Sequence, residues 1–197
     1  MTTALLVVGL SSGYLDPSFT PAPLVEARTR AMRACGAALA EHRARGGIAA
    51  FAPRVYEADG SNVEFMRVQR FKAAQERAGR LPLQRGAPGT LEYPEDLAPQ
   101  PDDIVVERRS FSAFFGTDLV ERLRAKGVTR LVVIGANTGT CVRATVFDAI
   151  GHGFRTAVLA NAHSDVSEES AKAAMAFFEK DLQIPILPAV GEEWERF

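Results

Sequence analysis

Cysteine is scarce in this sequence: Cys35 and Cys141 are the only two, far apart and without a C-x-x-C spacing. That excludes a disulfide framework and a zinc knuckle, and fits free thiols in a reducing cytoplasm. Charge of one sign is missing too. A formal net charge of −1 at pH 7 leaves no electrostatic footprint for nucleic acid or an anionic membrane surface. No apolar run is long enough to span a bilayer, and the opening Met1-Thr-Thr-Ala-Leu-Leu-Val-Val-Gly-Leu10 lacks a basic leader region, so it reads as a first strand. There is no internal repeat and no low-complexity tract. The expectation is one domain over residues 1–197 that handles a small molecule, with no nucleic acid, no membrane and no cofactor.

Short β-branched runs are plentiful, at Ala4–Leu10, Ile48–Ala52, Ile104–Val106, Leu131–Ile134, Thr156–Leu159 and Ile184–Leu187. Helical spacing fills several of the gaps: Leu24–Arg45 up to Gly46-Gly47, Asp118–Lys126 up to Gly127, Val142–Ile150 up to Gly151, and Glu168–Lys180 after a capping box at Asp165–Glu168. Apolar strands without a polar face, alternating with helices, predict a three-layer α/β/α, Rossmann-like domain with a mainly parallel sheet of about six strands. The Pro- and Gly-rich stretch Arg80–Asp103 is predicted to be a long ordered loop. The basic stretch Arg67–Arg85 before it reads as a solvated helix face.

Cys141 follows the Leu131–Ile134 strand across the turn Gly-Ala-Asn-Thr-Gly-Thr and precedes a helix. A thiol there stands at the sheet edge where ligands bind in such folds, and near N–H groups that favour a thiolate and an oxyanion. The rival reading is a small, buried, inert residue.

Four segments in order resemble the isochorismatase-like cysteine hydrolases, a superfamily that includes nicotinamidases, N-carbamoylsarcosine amidohydrolases and isochorismatases. They are Ala4–Pro17, Leu97–Arg108, Ser112–Leu119 (Ser-Ala-Phe-Phe-Gly-Thr-Asp-Leu) and Gly135–Thr145, which contains Gly-Ala-Asn-Thr-Gly-Thr-Cys-Val. The resemblance implies a cysteine nucleophile at Cys141, with oxyanion donors at the Asn137 and Cys141 N–H groups across a cis peptide near Ala136-Asn137. It also implies dimers or tetramers. Two positions depart from the family pattern: Gly9 stands where an aspartate takes and returns the proton, and Arg108 where a lysine belongs. Glycine has no proton to move, and arginine does not act as a base near neutral pH. Asp16 belongs to the Leu-Asp-Pro that follows the strand in family members, so the resemblance makes it a poor stand-in for the acid. The Asp-x-His metal pattern of nicotinamidases is not visible in Arg54–Asp59, so no metal is expected.

Arg108 is therefore expected either to support the thiolate, to bind a substrate anion, or to pair with Glu107, Asp118 or another acid. Gly9, Phe114 and His163 are candidate substrate contacts, with His163 also a candidate replacement base and otherwise a loop histidine; Phe111 and Phe115 border the same region. Cys35 reads as core and His152 as a helix-end cation. The leading expectation is a hydrolase acting on a small amide, ester or related acyl bond through Cys141. The alternatives are an inactive member that binds a ligand or partner, and a member that runs a non-hydrolytic reaction in the same pocket.

Overall fold

The computed structural model describes residues 2–195 and 197. Its elements run β1 (Thr2–Val8), α1 (Ala22–Ala44), β2 (Ile48–Ala52), α2 (Val68–Ala78), β3 (Ile104–Val105), α3 (Leu119–Ala125), β4 (Val128–Ala136), α4 (Arg143–Gly151), β5 (Arg155–Ser164), α5 (Glu168–Lys180) and β6 (Ile186–Leu187). All pairings are parallel, in the order β3-β2-β1-β4-β5-β6. β1 is apolar at every position from Ala4 to Val8 and so needs cover on both faces. Leu5 and Val7 pack with Met32, Cys35 and Leu39 of α1, whereas Ala4, Leu6 and Val8 pack with Leu119 and Leu123 of α3 and Val146 of α4. The result is a three-layer α/β/α fold. No described helix is long and apolar enough to cross a membrane.

The strand order reverses between β1 and β4, which opens a crevice at their carboxyl ends. The segments leaving β1, β2, β3 and β4 all emerge along this edge, carrying Gly9, Arg54, Arg108 and Cys141.

Several boundaries differ from the sequence expectation for local reasons. β1 stops at Val8, not Leu10, because Gly9 and Leu10 both turn into positive φ, at 73° and 66°. β4 and β5 outrun their apolar cores: past an irregularity at Val133–Gly135 they pair again, Gly135 with His163 and Ala136 with Ser164. The cap of α5 is Ser167, whose side chain accepts from the Ser170 N–H at 3.1 Å. Asp165, expected to open a capping box, accepts the Gly139 N–H at 2.6 Å instead. The basic stretch contains α2, which buries Phe71 and Ala74 and exposes its charged residues. The Arg80–Asp103 loop is ordered against the segment that leaves β1: Ser11 Oγ and the Gly13 N–H both donate to the Thr90 carbonyl, and the Ser12 N–H to that of Glu92.

Candidate active site

Cys141 lies in the π-helical turn Thr138–Val142 between β4 and α4, where the Asn137 carbonyl accepts the N–H groups of Thr140 at 3.2 Å and Val142 at 3.1 Å. The Ala136-Asn137 peptide is cis. From outside the turn, Asp165 holds the Gly139 N–H, and Thr138 Oγ1 donates to the Ser164 carbonyl at 2.9 Å. The turn that carries the sulfur is therefore held by the Asn137 and Ser164 carbonyls and the Asp165 carboxylate before any partner is considered. The sulfur is also nearly sealed, with Cys141 3% exposed.

Two buried guanidinium groups close on this sulfur. Arg108 Nη1 stands 3.6 Å from Cys141 Sγ and Arg54 Nη1 stands 3.7 Å from it, and each arginine is 1% exposed. They lie side by side because the β2–β3 pairing continues past the strand ends as an Arg54–Arg108 bridge. In that bridge the Arg108 N–H donates to the Pro53 carbonyl and the Val55 N–H to that of Arg108. Arg108 is aimed by backbone carbonyls: Nε donates to Ala52 at 3.0 Å, and Nη1 to Ser110 at 2.6 Å and Phe111 at 3.2 Å. Of the acids the sequence offered as its partner, Glu107 pairs with Arg85, and among the described residues no carboxylate forms an ion pair with Arg108. Arg54 pairs with Glu64, itself hydrogen-bonded by the Tyr56 hydroxyl, and lies against the rings of Phe111 and Tyr56.

The electrostatic consequence falls on the thiol. Burial pushes the Cys141 thiol up, but Arg108, then Arg54, then the Asn137 N–H and the Thr140 hydroxyl outweigh it, and the net direction is down, toward thiolate. Burial works against the Arg108 charge too, and the nearby sulfur and the Tyr14 hydroxyl more than restore it. Cys35 shows the contrast: sealed in the core and donating to the Ala162 carbonyl at 3.2 Å, it is pushed up by burial alone.

A third guanidinium stands behind. Arg28 donates to the Asn137 side-chain oxygen at 3.3 Å and to the Tyr14 carbonyl at 2.8 Å. Arg28 Nε, Arg54 Nε and Arg108 Nη2 are buried without a hydrogen bond of good geometry, so the centre has donors to spare for an anion.

The other expected contacts divide. Gly9 borders this centre: a side chain at position 9 would meet the Tyr14 hydroxyl and the Ala136 carbonyl. Phe114 lies in the apolar layer, stacked on Phe154 and tilted against His152, and the ring beside the arginines is Phe111. His163 sits on β5 with Nε2 at the Ala160 carbonyl and Nδ1 at Thr138 Oγ1, and it lines a groove between α1 and α5. Among the described residues no hydrogen bond joins it to Cys141, Arg54 or Arg108. Burial, first, holds its imidazolium below the ordinary range. Asp16 pairs with Arg80. Phe115 is exposed.

Arg54 and Tyr14 were not singled out from the sequence. For Arg54 the signal was available, since it follows an apolar strand at the same edge as Arg108. No group of three or more His, Cys, Asp and Glu side chains that could hold a metal ion converges among the described residues, and the segment Arg54–Asp59 contains no histidine. A buried guanidinium at the sulfur does not suit a metal there.

An isochorismatase-domain family model matches residues 3–186. The chain is 42% identical over 78 residues to the maleamate amidohydrolase of Pseudomonas putida, covering 38% of this chain and 37% of that protein. It is 35% identical over 108 residues to an Arabidopsis thaliana protein described as a probable inactive nicotinamidase, covering 55% and 53%. These matches span about half or less of the length of the curated relatives. A solved structure, the isochorismatase family protein from Desulfovibrio vulgaris, superposes with a TM-score of 0.82 at 28% identity over 95% of this chain and 94% of that one. The family model spans nearly the whole chain and the solved relative shares its fold over 95% of it, and this chain belongs to the isochorismatase family.

Proposed function

We propose that this protein is a cysteine-dependent hydrolase of a small-molecule amide, ester or related acyl bond, with Cys141 as nucleophile. The observation that carries the reading is the placement of two buried guanidinium groups at 3.6 and 3.7 Å from one sulfur. A thiolate held by positive charge needs no base to generate it, which removes the first of the two jobs left open by Gly9. In this reading Arg108 and Arg54 hold the thiolate and orient a substrate anion. The N–H groups of Asn137 and Cys141 take the oxyanion as the sulfur moves into its new bond. Three arginines with unused donors favour a substrate that bears a carboxylate, and the Pseudomonas putida relative is named for such an amide.

A second reading, a non-catalytic member that binds a ligand, is favoured by the sealed sulfur and by the Arabidopsis thaliana relative described as inactive. The two separate on one experiment. The protein is incubated with a panel of carboxylate-bearing amides and activated esters, and its intact mass is followed. The expected result is an acyl adduct on Cys141, absent in Cys141→Ser, with product released by the wild type. No adduct and no turnover with any member, together with alkylation of Cys141 no faster than an exposed free thiol, overturns the hydrolase and leaves the binding protein.

A further inference from the structure

The space left by the absent acid is filled. A side-chain carbon built on Gly9 would lie 2.7 Å from Tyr14 Oη and 2.9 Å from its ring carbon Cζ, so the phenol occupies the volume a residue-9 side chain would need. The position is built. Tyr14 is 8% exposed, its N–H donates to the Ser11 carbonyl at 2.9 Å, and its own carbonyl takes hydrogen bonds from Arg28 and Thr20. The Arg28 guanidinium lies 5.3 Å from the ring centre. The hydroxyl lies within electrostatic reach of Arg108, the same arginine that holds Cys141 Sγ, and Arg108 Nη2 is buried without a hydrogen-bond partner of good geometry. One guanidinium therefore acts electrostatically on both the phenol and the thiol.

We infer that the Tyr14 hydroxyl is the proton-transfer group of this site, replacing the missing aspartate from a position five residues further along the chain. The inference rests on Cys141 being the nucleophile. In the acylation step Cys141 Sγ bonds to the carbonyl carbon and the π pair moves to the oxygen. As the intermediate collapses the C–N bond breaks, the nitrogen takes the proton of Tyr14 Oη, and the amine leaves. The phenolate left behind is neutralised by Arg108, with Arg54 and Arg28 also within electrostatic reach of Tyr14. A water molecule then attacks the thioester and gives one proton to Tyr14, the C–S bond breaks to regenerate the thiolate, and the carboxylic acid departs. Water is consumed, and phenol and thiolate return to their starting states.

The test is Tyr14→Phe, which removes one oxygen and keeps the ring. It is assayed on a nitrophenyl ester, whose leaving group departs without a proton, and on the matching amide. The expected result is loss of amide hydrolysis by about 10²–10⁴-fold, while the ester still acylates Cys141 and the acyl-enzyme accumulates because its hydrolysis has lost the base. Equal losses on ester acylation and on amide, or no loss on either, overturn the role of Tyr14. Absence in the wild type of any acyl adduct, of turnover and of fast alkylation of Cys141 instead overturns Cys141 as nucleophile, and the inference falls with it.

Discussion

Removing the charge of Arg108 should raise the Cys141 thiol toward its ordinary range, and the size of the effect follows from one distance. At 3.6 Å and an effective dielectric of about 20, two unit charges attract by roughly 4 kcal/mol, equivalent to a factor of about 10³ in thiolate population. Arg54, the Asn137 N–H and the Thr140 hydroxyl remain in the variant, and water admitted by the shorter side chain screens part of the loss. Arg108→Gln should therefore alkylate Cys141 with iodoacetamide about 10- to 10³-fold more slowly at pH 7, the deficit closing as pH rises through the thiol's new range. Gln keeps an amide donor near the Ala52 carbonyl that Nε serves, and Arg108→Lys keeps the charge, so the two variants separate charge from scaffolding. The assay follows label on Cys141 by mass across pH; Cys35, sealed and held up by burial, is the internal control and stays unlabelled in folded protein. If folded Arg108→Gln labels as fast as the wild type while Arg108→Lys does not, the claim that guanidinium charge makes the thiolate is refuted.

Two further expectations concern stability. Because the Cys141 thiol is lower in the folded chain than its unfolded value of about 8.5, the unfolded state binds more protons between the two, and stability must rise with pH across that window. Its contribution is fully present above about pH 8.5 and is lost as pH falls through the folded value; subtracting a Cys141→Ala denaturation series from the wild type should show this slope, and a flat difference would contradict the depressed thiol. Asp165→Ala should cost about 1–3 kcal/mol by orphaning the part-buried Gly139 N–H. The variant should also slow alkylation of Cys141 by loosening its turn, and chemical denaturation with labelling reads both.

The sequence exposed the layers of this fold because its strands are apolar on both faces: Leu5 and Val7 alternate with Leu6 and Val8, and each pair found its own helix layer. It exposed Cys141 and Arg108 because each follows a strand at one sheet edge. What it hid was lateral. Arg54 meets Arg108 through parallel pairing of segments separated by a crossover of more than fifty residues, a distance at which no short motif operates. Tyr14 fills the space beside Gly9 because the chain doubles back through positive φ at Gly9 and Leu10, a turn that residue type alone does not announce. Asp165 reads as a helix cap by its spacing; the backbone of the cysteine turn lay closer in space than the helix it was assigned to.

The near-complete burial of the sulfur carries a consequence for affinity. Arg54 is covered by Glu64 and by Phe111, and Arg67 lies on Phe111 in turn, 4.7 Å from the ring centre, while Phe65 and Met66 point outward to solvent. With Cys141 3% exposed, if its cover must open before a ligand reaches the sulfur, the observed Kd equals the intrinsic Kd divided by the open fraction. A chain open about one part in a hundred thus weakens every ligand about a hundredfold, whatever its shape. Affinity for all ligands is then scaled together by that one opening, and selectivity among them is left to the arginines around the sulfur.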